Sequence, residues 1–232
     1  MKPELYDRLD GQVALVTGAN RGLGRQIAEN LTELGVIVYA GVRSTDHEVG
    51  ERQEKVLLDV TQHGEVQDTV ENVGDEANGI DILVNNAGVG EFGDDLVDEP
   101  VSAIDRTLMT NVRGPMLTAK YALPYLLQHE GGRIVNLSSG MGALGEPQSG
   151  GSPSYRISKT GINGLTAYLH GEYGDEGLIA NSACPGWVRT DMGGEEADRS
   201  VEEGAETPTW LCRFKPGSPG GKFWRDKEVI DW

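Results

Sequence analysis

The chain has 232 residues and a formal net charge of −17 at pH 7, from 37 acidic and 20 basic side chains. The length suffices for one sizeable α/β domain, and no run of about 18 apolar residues is present to span a membrane. A surface this acidic repels nucleic acids and anionic membranes, so neither is expected as a partner.

The acidic side chains are spread along the chain, which indicates a folded acidic surface and not a disordered tail. A scattered acidic excess with few lysines resembles proteins of salt-loving organisms, and an acidic mesophilic protein is the alternative. The polar start of the chain lacks the apolar segment of a signal peptide, so a cytoplasmic location is expected. Cys184 and Cys212 have no metal-ligand spacing, and no metal site is predicted.

The first predicted unit is a strand, a glycine-rich turn and a helix. Val13–Thr17 is a short apolar run typical of a buried strand, and Gly18–Gly24 follows it directly. A helix pattern with Ile27 and Leu31 on one face comes next. Glycines let the backbone approach a pyrophosphate, and a helix N-terminus favours its negative charge. This context predicts a dinucleotide-binding turn.

The second predicted strand, Val36–Ala40, bears on the choice of cofactor. Proteins of this architecture that use NAD place an acidic residue after this strand to hold the ribose hydroxyls. Here Arg43 follows the strand and no acid is present. Arg21, in the glycine turn, and Arg43 are predicted to flank a 2′-phosphate, which favours NADP, with NAD still possible. Two solvated surface arginines are the alternative.

The middle of the chain continues the alternation of strands and helices. The pattern predicts a third strand at Val56–Leu58, a helix over 64–77, a fourth strand at Ile80–Val84, a helix from Pro100 to about His129, and a fifth strand at Arg133–Leu137. Asn111 falls inside the long helix, where an Asn side chain competes for backbone hydrogen bonds. Pro124 is expected to bend this helix near its end.

Tyr155 and Lys159 lie four residues apart in a helix predicted to run to about Gly174, so they share one face. An ammonium beside a phenol favours the phenolate, so Lys159 is expected to lower the pKa of Tyr155 and make it a usable general acid. A surface pair on an amphipathic helix is the alternative. The pair Ser138-Ser139, which closes a predicted strand upstream, argues against that alternative.

The last part of the chain adds a sixth strand at Ile179–Cys184 and a seventh at Gly221–Trp224. The whole pattern predicts an α/β fold: one Rossmann domain over 1–232, with a doubly wound parallel sheet of about seven strands and helices on both faces. Ligands of such sheets bind at the carboxyl ends of the strands. The motifs that follow the strands are therefore expected to meet in one crevice.

Four motifs together resemble the short-chain dehydrogenase/reductase family of the Tyr-x-x-x-Lys type. They are the turn Gly18–Gly24, the run Asn85-Asn86-Ala87-Gly88, the pair Ser138-Ser139, and Tyr155 with Lys159. The runs 184–192 and 200–208 are similar to the carbonyl reductase branch of that family. The resemblance covers nearly the whole chain, roughly Gly11 to Trp232.

The resemblance implies four catalytic residues. Tyr155 donates a proton to the developing alkoxide, and Lys159 also grips the nicotinamide ribose. Asn111 sits at a helix kink and anchors a water of the proton relay. Ser139 hydrogen-bonds the carbonyl oxygen.

The position of the catalytic serine needs an inferred insertion. The family usually places this serine 13 residues before the tyrosine, which lands on Gly142, whereas Ser139 lies 16 residues before Tyr155. A three-residue insertion in the loop Gly140–Ser154 accounts for the difference. Ser138 is the alternative.

The resemblance also implies which residues contact the cofactor. The glycine turn takes the pyrophosphate, Asp59 touches the adenine end, and the Pro-Gly and Thr that follow the sixth strand hold the nicotinamide carboxamide and phosphates. The implied cofactor-binding residues are Gly18, Asn20, Arg21, Gly22, Leu23, Gly24, Arg43, Asp59, Val60, Asn86, Ala87, Gly88, Tyr155, Lys159, Pro185, Gly186, Val188 and Thr190.

The predicted function is NADPH-dependent reduction of a ketone or aldehyde to an alcohol, reversible in principle. One alternative is a catalytically silent scaffold that senses NADP. Another is a ketoacyl thioester reductase, which would call for a basic patch to dock an acidic carrier, and this chain is acidic. The short segment between Thr190 and Ser200 predicts an open pocket for varied carbonyls. A homodimer or homotetramer is expected, because the inferred three-residue insertion is too short to cover the helix faces through which relatives assemble.

Overall fold

The computed structural model describes residues 2–232, which form one α/β unit around a single sheet. The strands are β1 (Val13–Thr17), β2 (Ile37–Val42), β3 (Gln53–Leu57), β4 (Ile82–Asn85), β5 (Arg133–Leu137), β6 (Ile179–Ala183), β7 (Lys222–Arg225) and β8 (Glu228–Ile230). The α-helices are α1 (Gly22–Glu33), α2 (His63–Glu76), α3 (Val101–Leu108), α4 (Gly114–Leu126), α5 (Pro153–Tyr173) and α6 (Val201–Leu211), and a π-helical turn (Met109–Arg113) joins α3 to α4.

The sheet has the strand order β3-β2-β1-β4-β5-β6-β7-β8. All pairs from β3 to β7 are parallel, which confirms the doubly wound parallel sheet. Seven strands form the parallel sheet, as predicted, and β8 adds an eighth strand that pairs antiparallel with β7. Asp226 and Lys227 make this tight hairpin at φ 54° and 62° without a glycine, so the sequence carries no turn signal there.

Helices cover both faces of the sheet, as predicted, and the alternation along β1 shows why. Ala14 and Val16 point into a core shared with α1 and α6, whereas Val13 and Leu15 point into a core shared with α2, α4 and α5. Burial of both faces explains the continuous apolar run of this strand. The parallel strands therefore end at one common edge, where the loops of the site begin.

The third strand lies earlier than predicted, at Gln53–Leu57 in place of Val56–Leu58. It forms the edge of the sheet, and its Glu54 and Lys55 side chains are exposed. An edge strand with solvated side chains has little apolar periodicity, so the pattern located only its last residues.

The prediction of a single helix from Pro100 to His129 is wrong in two respects. The helix is divided by the π-helical turn at Met109–Arg113, and it ends at Leu126. The expected kink at Asn111 is thus present, as a turn with one extra residue. Pro124 lies in the last turn of α4, within the helix.

Cys184 and Cys212 are both buried free thiols. Within residues 2–232, no helix combines the length and the apolar character needed to cross a membrane.

Candidate active site

The glycine turn after β1 is shaped by close approach to its neighbours. Gly18 has φ +65°, a backbone conformation that glycine tolerates best, and a side chain there would lie 3.1 Å from Ala87 Cα. A Cβ on Gly24 would overlap the carbonyl of Gly18 and the amide of Asn86. The turn can therefore fold back against the Asn-Asn-Ala-Gly segment only with glycine at these positions.

The N-terminus of α1 is left free to bind an anion. Arg21 is its N-cap residue, without a side-chain capping bond, and the first turn contains no acidic residue. The first backbone N–H groups of a helix have no partner within it, and the helix dipole favours negative charge there. An exposed, uncapped helix start beside a glycine turn fits the pyrophosphate of a dinucleotide.

Asn86 braces this turn from the end of β4. Its side-chain amide donates to the carbonyl oxygens of Thr17 at 2.9 Å and Gly18 at 3.1 Å. The backbone N–H groups of Asn86 and Ala87 both donate to the Thr17 hydroxyl, at 3.0 and 2.9 Å. Gly88 lies one step further along, and a Cβ on it would be 3.7 Å from Lys159 Nζ. The segment thus links the glycine turn to the predicted catalytic residues.

The loop after β6 closes the same crevice from the other side. A Cβ on Gly22 would lie 3.3 Å from Thr190 Cγ2, so this loop reaches the glycine turn. Gly186 has φ +81°, and a Cβ there would meet the Arg199 guanidinium at 2.6 Å. Val188 is 5% exposed and pairs with Arg199 in an isolated bridge. Arg199, which sequence reasoning missed, therefore holds the Pro-Gly turn in place.

Two predicted arginines lie at the solvent side of the crevice. Arg43 is exposed directly after β2, and it forms no ion pair with any residue of the 2–232 range that the structure covers. Arg21 is also exposed, and its guanidinium forms an ion pair with Asp191 of the loop after β6. The Arg21 side chain is therefore already engaged across the crevice.

Asp59 and Val60 lie in the loop after β3, two strands away from β1 and the glycine turn that follows it. The Asp59 carboxylate accepts from the backbone and the hydroxyl of Thr61, at 2.9 and 2.7 Å. Val60 is buried, and its side chain packs where a Cβ on Gly114 would fall, at 2.8 Å. Both side chains are thus occupied by the protein itself.

Asn20 and Leu23 complete the predicted set in the glycine turn. Asn20 is half-buried, and Leu23 is partly buried against the core under α1 and α6. The Leu23 side chain approaches Gly204 of α6, where an added Cβ would lie 2.9 Å away. Leu23 therefore anchors the start of α1 to α6 by packing.

Tyr155 lies in the first turn of α5, and the Ser139 side chain lies close enough to its phenol to favour the ionised form, which lowers the pKa of Tyr155 against the effect of burial. The structure therefore pairs the tyrosine with Ser139 and not with Ser138, which is 3% exposed and donates to the Lys159 carbonyl at 3.3 Å. Gly142, the position given by the usual spacing, packs under the backbone of Lys159 and carries no hydroxyl.

The expectation that Lys159 lowers the pKa of Tyr155 is not met. Burial raises the pKa of Tyr155 to about 12, and only the Ser139 hydrogen bond opposes this. The Lys159 ammonium lies 5.5 Å from the centre of the Tyr155 ring and donates to the Leu137 carbonyl at 2.7 Å. Burial lowers the pKa of Lys159 to about 8. At neutral pH the tyrosine is therefore a protonated acid and the lysine is mostly a cation.

Asn111 is buried in the π-helical turn, and its side chain is fully used. Its Oδ1 accepts from the Val89 N–H at 2.8 Å, and its Nδ2 donates to the Val89 carbonyl at 2.7 Å and to Ser158 Oγ at 3.0 Å. π-helical turns inside helices frequently occur at functional sites. Here the turn lets Asn111 clamp the segment after Gly88 to α5.

A chain of buried side-chain hydrogen bonds lies under the site. It runs from Thr118 to Asn85 (2.6 Å), to Asn136 (2.9 Å), to Thr166 (2.8 Å) and to Ser182 (2.8 Å). The five side chains belong to α4, β4, β5, α5 and β6, and all are buried. Buried networks that satisfy their members fix a single arrangement. This one fixes the spacing of the helices that carry Asn111 and Tyr155.

The structure thus brings together most of the predicted site residues along the carboxyl edge of β1, β4, β5 and β6. It leaves Arg43, Asp59 and Val60 apart from them, in the loops after β2 and β3. Sequence reasoning missed Glu99, Phe92 and Arg199. None of them belongs to a recognisable motif, and each acts on a partner distant in sequence.

Comparison with known proteins agrees with this geometry. Residues 12–200 match the family model described as short chain dehydrogenase. The chain is 31% identical to carbonyl reductase (NADPH) 1 of Rattus norvegicus, over 96% of this chain and 99% of that protein. It is 34% identical to the 3-oxoacyl-(acyl-carrier-protein) reductase FabG of Vibrio harveyi, over 79% and 76%.

Two solved structures superpose closely on this chain. The NADPH-bound carbonyl reductase from chicken fatty liver superposes with a TM-score of 0.87 at 27% identity, covering 97% of this chain and 100% of that one. A short chain dehydrogenase from Burkholderia cenocepacia in complex with NADP superposes with a TM-score of 0.85 at 28% identity, covering 97% and 98%.

Proposed function

Because this chain belongs to the short-chain dehydrogenase family and is an NAD(P)-dependent oxidoreductase, we propose that it reduces a ketone or aldehyde to an alcohol with NADPH. The observation that carries the proposal is the buried, protonated Tyr155 beside Ser139, on the sheet edge that also carries the uncapped N-terminus of α1. Its substrate is a small carbonyl compound, and the reaction is reversible.

The protein supplies proton transfer and orientation. When bound, the nicotinamide cofactor supplies the hydride for the carbonyl carbon. Tyr155 gives its proton to the carbonyl oxygen as negative charge develops there, and its raised pKa keeps that proton in place at neutral pH. Ser139 hydrogen-bonds the same oxygen. The Lys159 ammonium, held in place by the Leu137 carbonyl, is expected to grip the nicotinamide ribose.

Asn111 is expected to contribute to proton transfer through its main-chain atoms. Its side-chain amide is consumed by Val89 and Ser158, so a relay water is expected to contact a main-chain group of the π-helical turn. The side chain then has a separate task, which is to hold α5 against the segment after Gly88.

The preference for NADPH rests on Arg43. An exposed guanidinium without an ion-pair partner within residues 2–232 follows β2, where an acid would repel a 2′-phosphate. Arg21 assists only if it leaves Asp191. NADPH or NADP appears in the names of the rat, chicken and Burkholderia proteins, which supports the same choice.

Two other functions remain as alternatives. A 3-oxoacyl thioester reductase is favoured by the Vibrio harveyi relative, but the net charge of −17 opposes docking of an acidic carrier. A silent sensor of NADP would need no tyrosine acid, and here Tyr155, Ser139 and Lys159 are all in place.

The test is turnover of a carbonyl panel at high salt. Simple ketones, aldehydes, secondary alcohols and a 3-oxoacyl thioester are assayed with NADPH and with NADH. We expect oxidation of NADPH with ketones or aldehydes. Tight cofactor binding without turnover of any compound would favour the sensor, and activity with the thioester alone would favour the thioester reductase.

We also propose a homodimer or homotetramer. Members of this family commonly assemble, and the π-helical turn, α4 and α5 expose Met109, Met116, Ile157 and Tyr168. The alignment with the rat protein extends over 277 positions, so that protein carries segments absent from this chain of 232 residues. Sedimentation at the monomer mass at every concentration would contradict the proposal.

A further inference from the structure

Glu99 is a buried carboxylate outside the residues assigned above. It directly precedes Pro100 and α3, and it is 7% exposed. Both of its oxygens bind Ser154: one accepts from the Ser154 backbone N–H at 3.2 Å, and the other accepts from the Ser154 hydroxyl. Buried charged groups need such partners, and these bonds are charge-assisted and therefore strong.

The start of α5 has no other cap. Its N-cap residue Ser152 is left-handed, at φ 61°, and makes no capping bond. The Ser152 hydroxyl is instead used to accept from the Gly93 N–H at 3.3 Å, and the first turn of α5 contains no acidic residue. Glu99 thus provides, from 55 positions away, the anion that the start of this helix lacks.

The segment that ends at Glu99 also packs on the catalytic ring. A Cβ on Gly90 would lie 2.7 Å from Tyr155 Cδ2, and the Phe92 ring meets the Tyr155 ring edge-on at 5.1 Å. The Ser152 N–H donates to the Asp94 carbonyl at 2.8 Å. The first turn of α5 and the segment 90–99 are therefore locked to each other around Tyr155.

We propose that Glu99 is a positioning residue for Tyr155. It touches no reacting atom. It fixes the Ser154 backbone, and hence the start of α5, so that the Tyr155 hydroxyl meets Ser139 and the substrate oxygen in one geometry. The proposal rests on the proposed function, because turnover is its main readout.

The experiment compares Glu99→Ala, Glu99→Gln and Ser154→Ala with a matched control. Asp81 is the control. Its carboxylate also accepts a backbone N–H, from Val13 at 2.8 Å, but it precedes β4 and so lies at the amino end of the strands. Glu99→Ala is expected to lower kcat by about ten- to a hundredfold, since small misplacements of reacting groups have such effects, while the Kd of NADPH stays unchanged.

Glu99→Gln keeps an acceptor for the Ser154 N–H and is expected to recover part of kcat, whereas Ser154→Ala loses only the hydroxyl bond and falls between Glu99→Ala and wild type. Asp81→Asn is expected to lose stability with kcat unchanged. Wild-type kcat in Glu99→Ala, or an equal loss of kcat in Asp81→Asn, would overturn the proposal.

Hydrogen exchange keeps this test separate from the proposed function. Glu99→Ala should speed exchange at the amides of Tyr155 and Arg156, and Asp81→Asn should not. If the wild type turns over no carbonyl, the proposed reductase function fails, and unchanged exchange at these amides in Glu99→Ala would overturn the positioning role on its own.

Discussion

The two ends of the proposed site differ in how deeply their side chains are buried. At the proposed catalytic end, Tyr155, Lys159 and Asn111 are at most 8% exposed, and the Lys159 and Asn111 side chains form hydrogen bonds in the interior. At the adenosine end, Arg43 and Arg21 lie in solvent, and the Arg21 side chain is 63% exposed in its ion pair. The proposed chemistry thus lies where the dielectric is low, and the proposed cofactor discrimination lies where salt and water weaken it.

The largest effect is expected at the buried end. Tyr155→Phe removes only the hydroxyl, so kcat should fall by about 10²–10⁴, the contribution of a general acid, while the Kd of NADPH is retained. Tyr168→Phe on the same helix is the control, because that side chain is 58% exposed. Steady-state kinetics and cofactor titration measure both quantities, and near-normal turnover of Tyr155→Phe would remove Tyr155 as the acid.

The second effect concerns the cost of the buried lysine. Burial lowers the pKa of Lys159 to about 8 from 10.5, so the folded state binds fewer protons than the unfolded chain between these values. The wild type should therefore gain stability as the pH rises through this window. Relative to Lys159→Met, the gain is about 3 kcal/mol at about 1.4 kcal/mol per pKa unit.

Urea unfolding of the wild type and Lys159→Met across this pH range measures the gain. A difference in unfolding free energy that is independent of pH would mean that the Lys159 ammonium is solvated, and the contrast between the two ends would weaken.

A smaller effect is expected at the exposed end. The wild type should prefer NADPH over NADH by at least about tenfold in kcat/KM, which needs roughly 1.4 kcal/mol. Arg43→Asp should lower kcat/KM for NADPH much more than for NADH, because charge-assisted bonds to a phosphate contribute about 1.5–3 kcal/mol. High salt should reduce the preference.

Arg52→Asp is the matched control for that charge change. Arg52 is exposed and precedes β3, so it lies at the amino end of the strands, whereas Arg43 follows β2 at their carboxyl end. Equal use of the two cofactors by the wild type, or an equal effect of Arg43→Asp on both, would show that Arg43 does not select the cofactor.

The smallest effect is expected from the acidic surface, whose charges are spread over the whole chain. If the acidic surface is an adaptation to salt, KCl should raise the Tm by screening like charges, by about 2–4 °C for each kcal/mol regained. NaCl at equal ionic strength should act alike. The buried catalytic end is out of reach of screening, so kcat at saturating cofactor should change little. A Tm that stays flat up to molar KCl would favour the mesophilic interpretation.

The sequence predicted that the motifs share one sheet edge, because each of them follows a strand directly. Once β1, β4, β5 and β6 are parallel neighbours, Gly18, Asn86, Ser139 and Pro185 must meet at one edge. The choice of Ser139 over Ser138 agrees with the alternation of a strand end, where one hydroxyl faces the tyrosine and the other faces the interior.

The contacts that tune the site were beyond sequence reasoning. Glu99 and Ser154 are 55 residues apart, and Arg199 reaches Asp226 across 27 residues, so no local pattern reveals either pair. The pKa of Tyr155 depends on how deeply its ring is buried, and helical spacing to Lys159 gave the wrong direction. Tertiary packing decided each of these outcomes.

The π-helical turn sets the angular phase between two halves of one long helix. An α-helix advances about 100° per residue, and the wider π-helical turn takes up one extra residue. Each later residue therefore lies about 100° from the position it would have in a regular helix of the same sequence. With this turn, Asn111 faces α5 while Thr118 and Ala122 of α4 face the sheet and the core beneath it. In a regular α-helix of the same sequence, the residues after the turn would lie about 100° away from their present positions, and one of these two sets of contacts would be lost. The turn therefore allows one helix to serve two directions of contact.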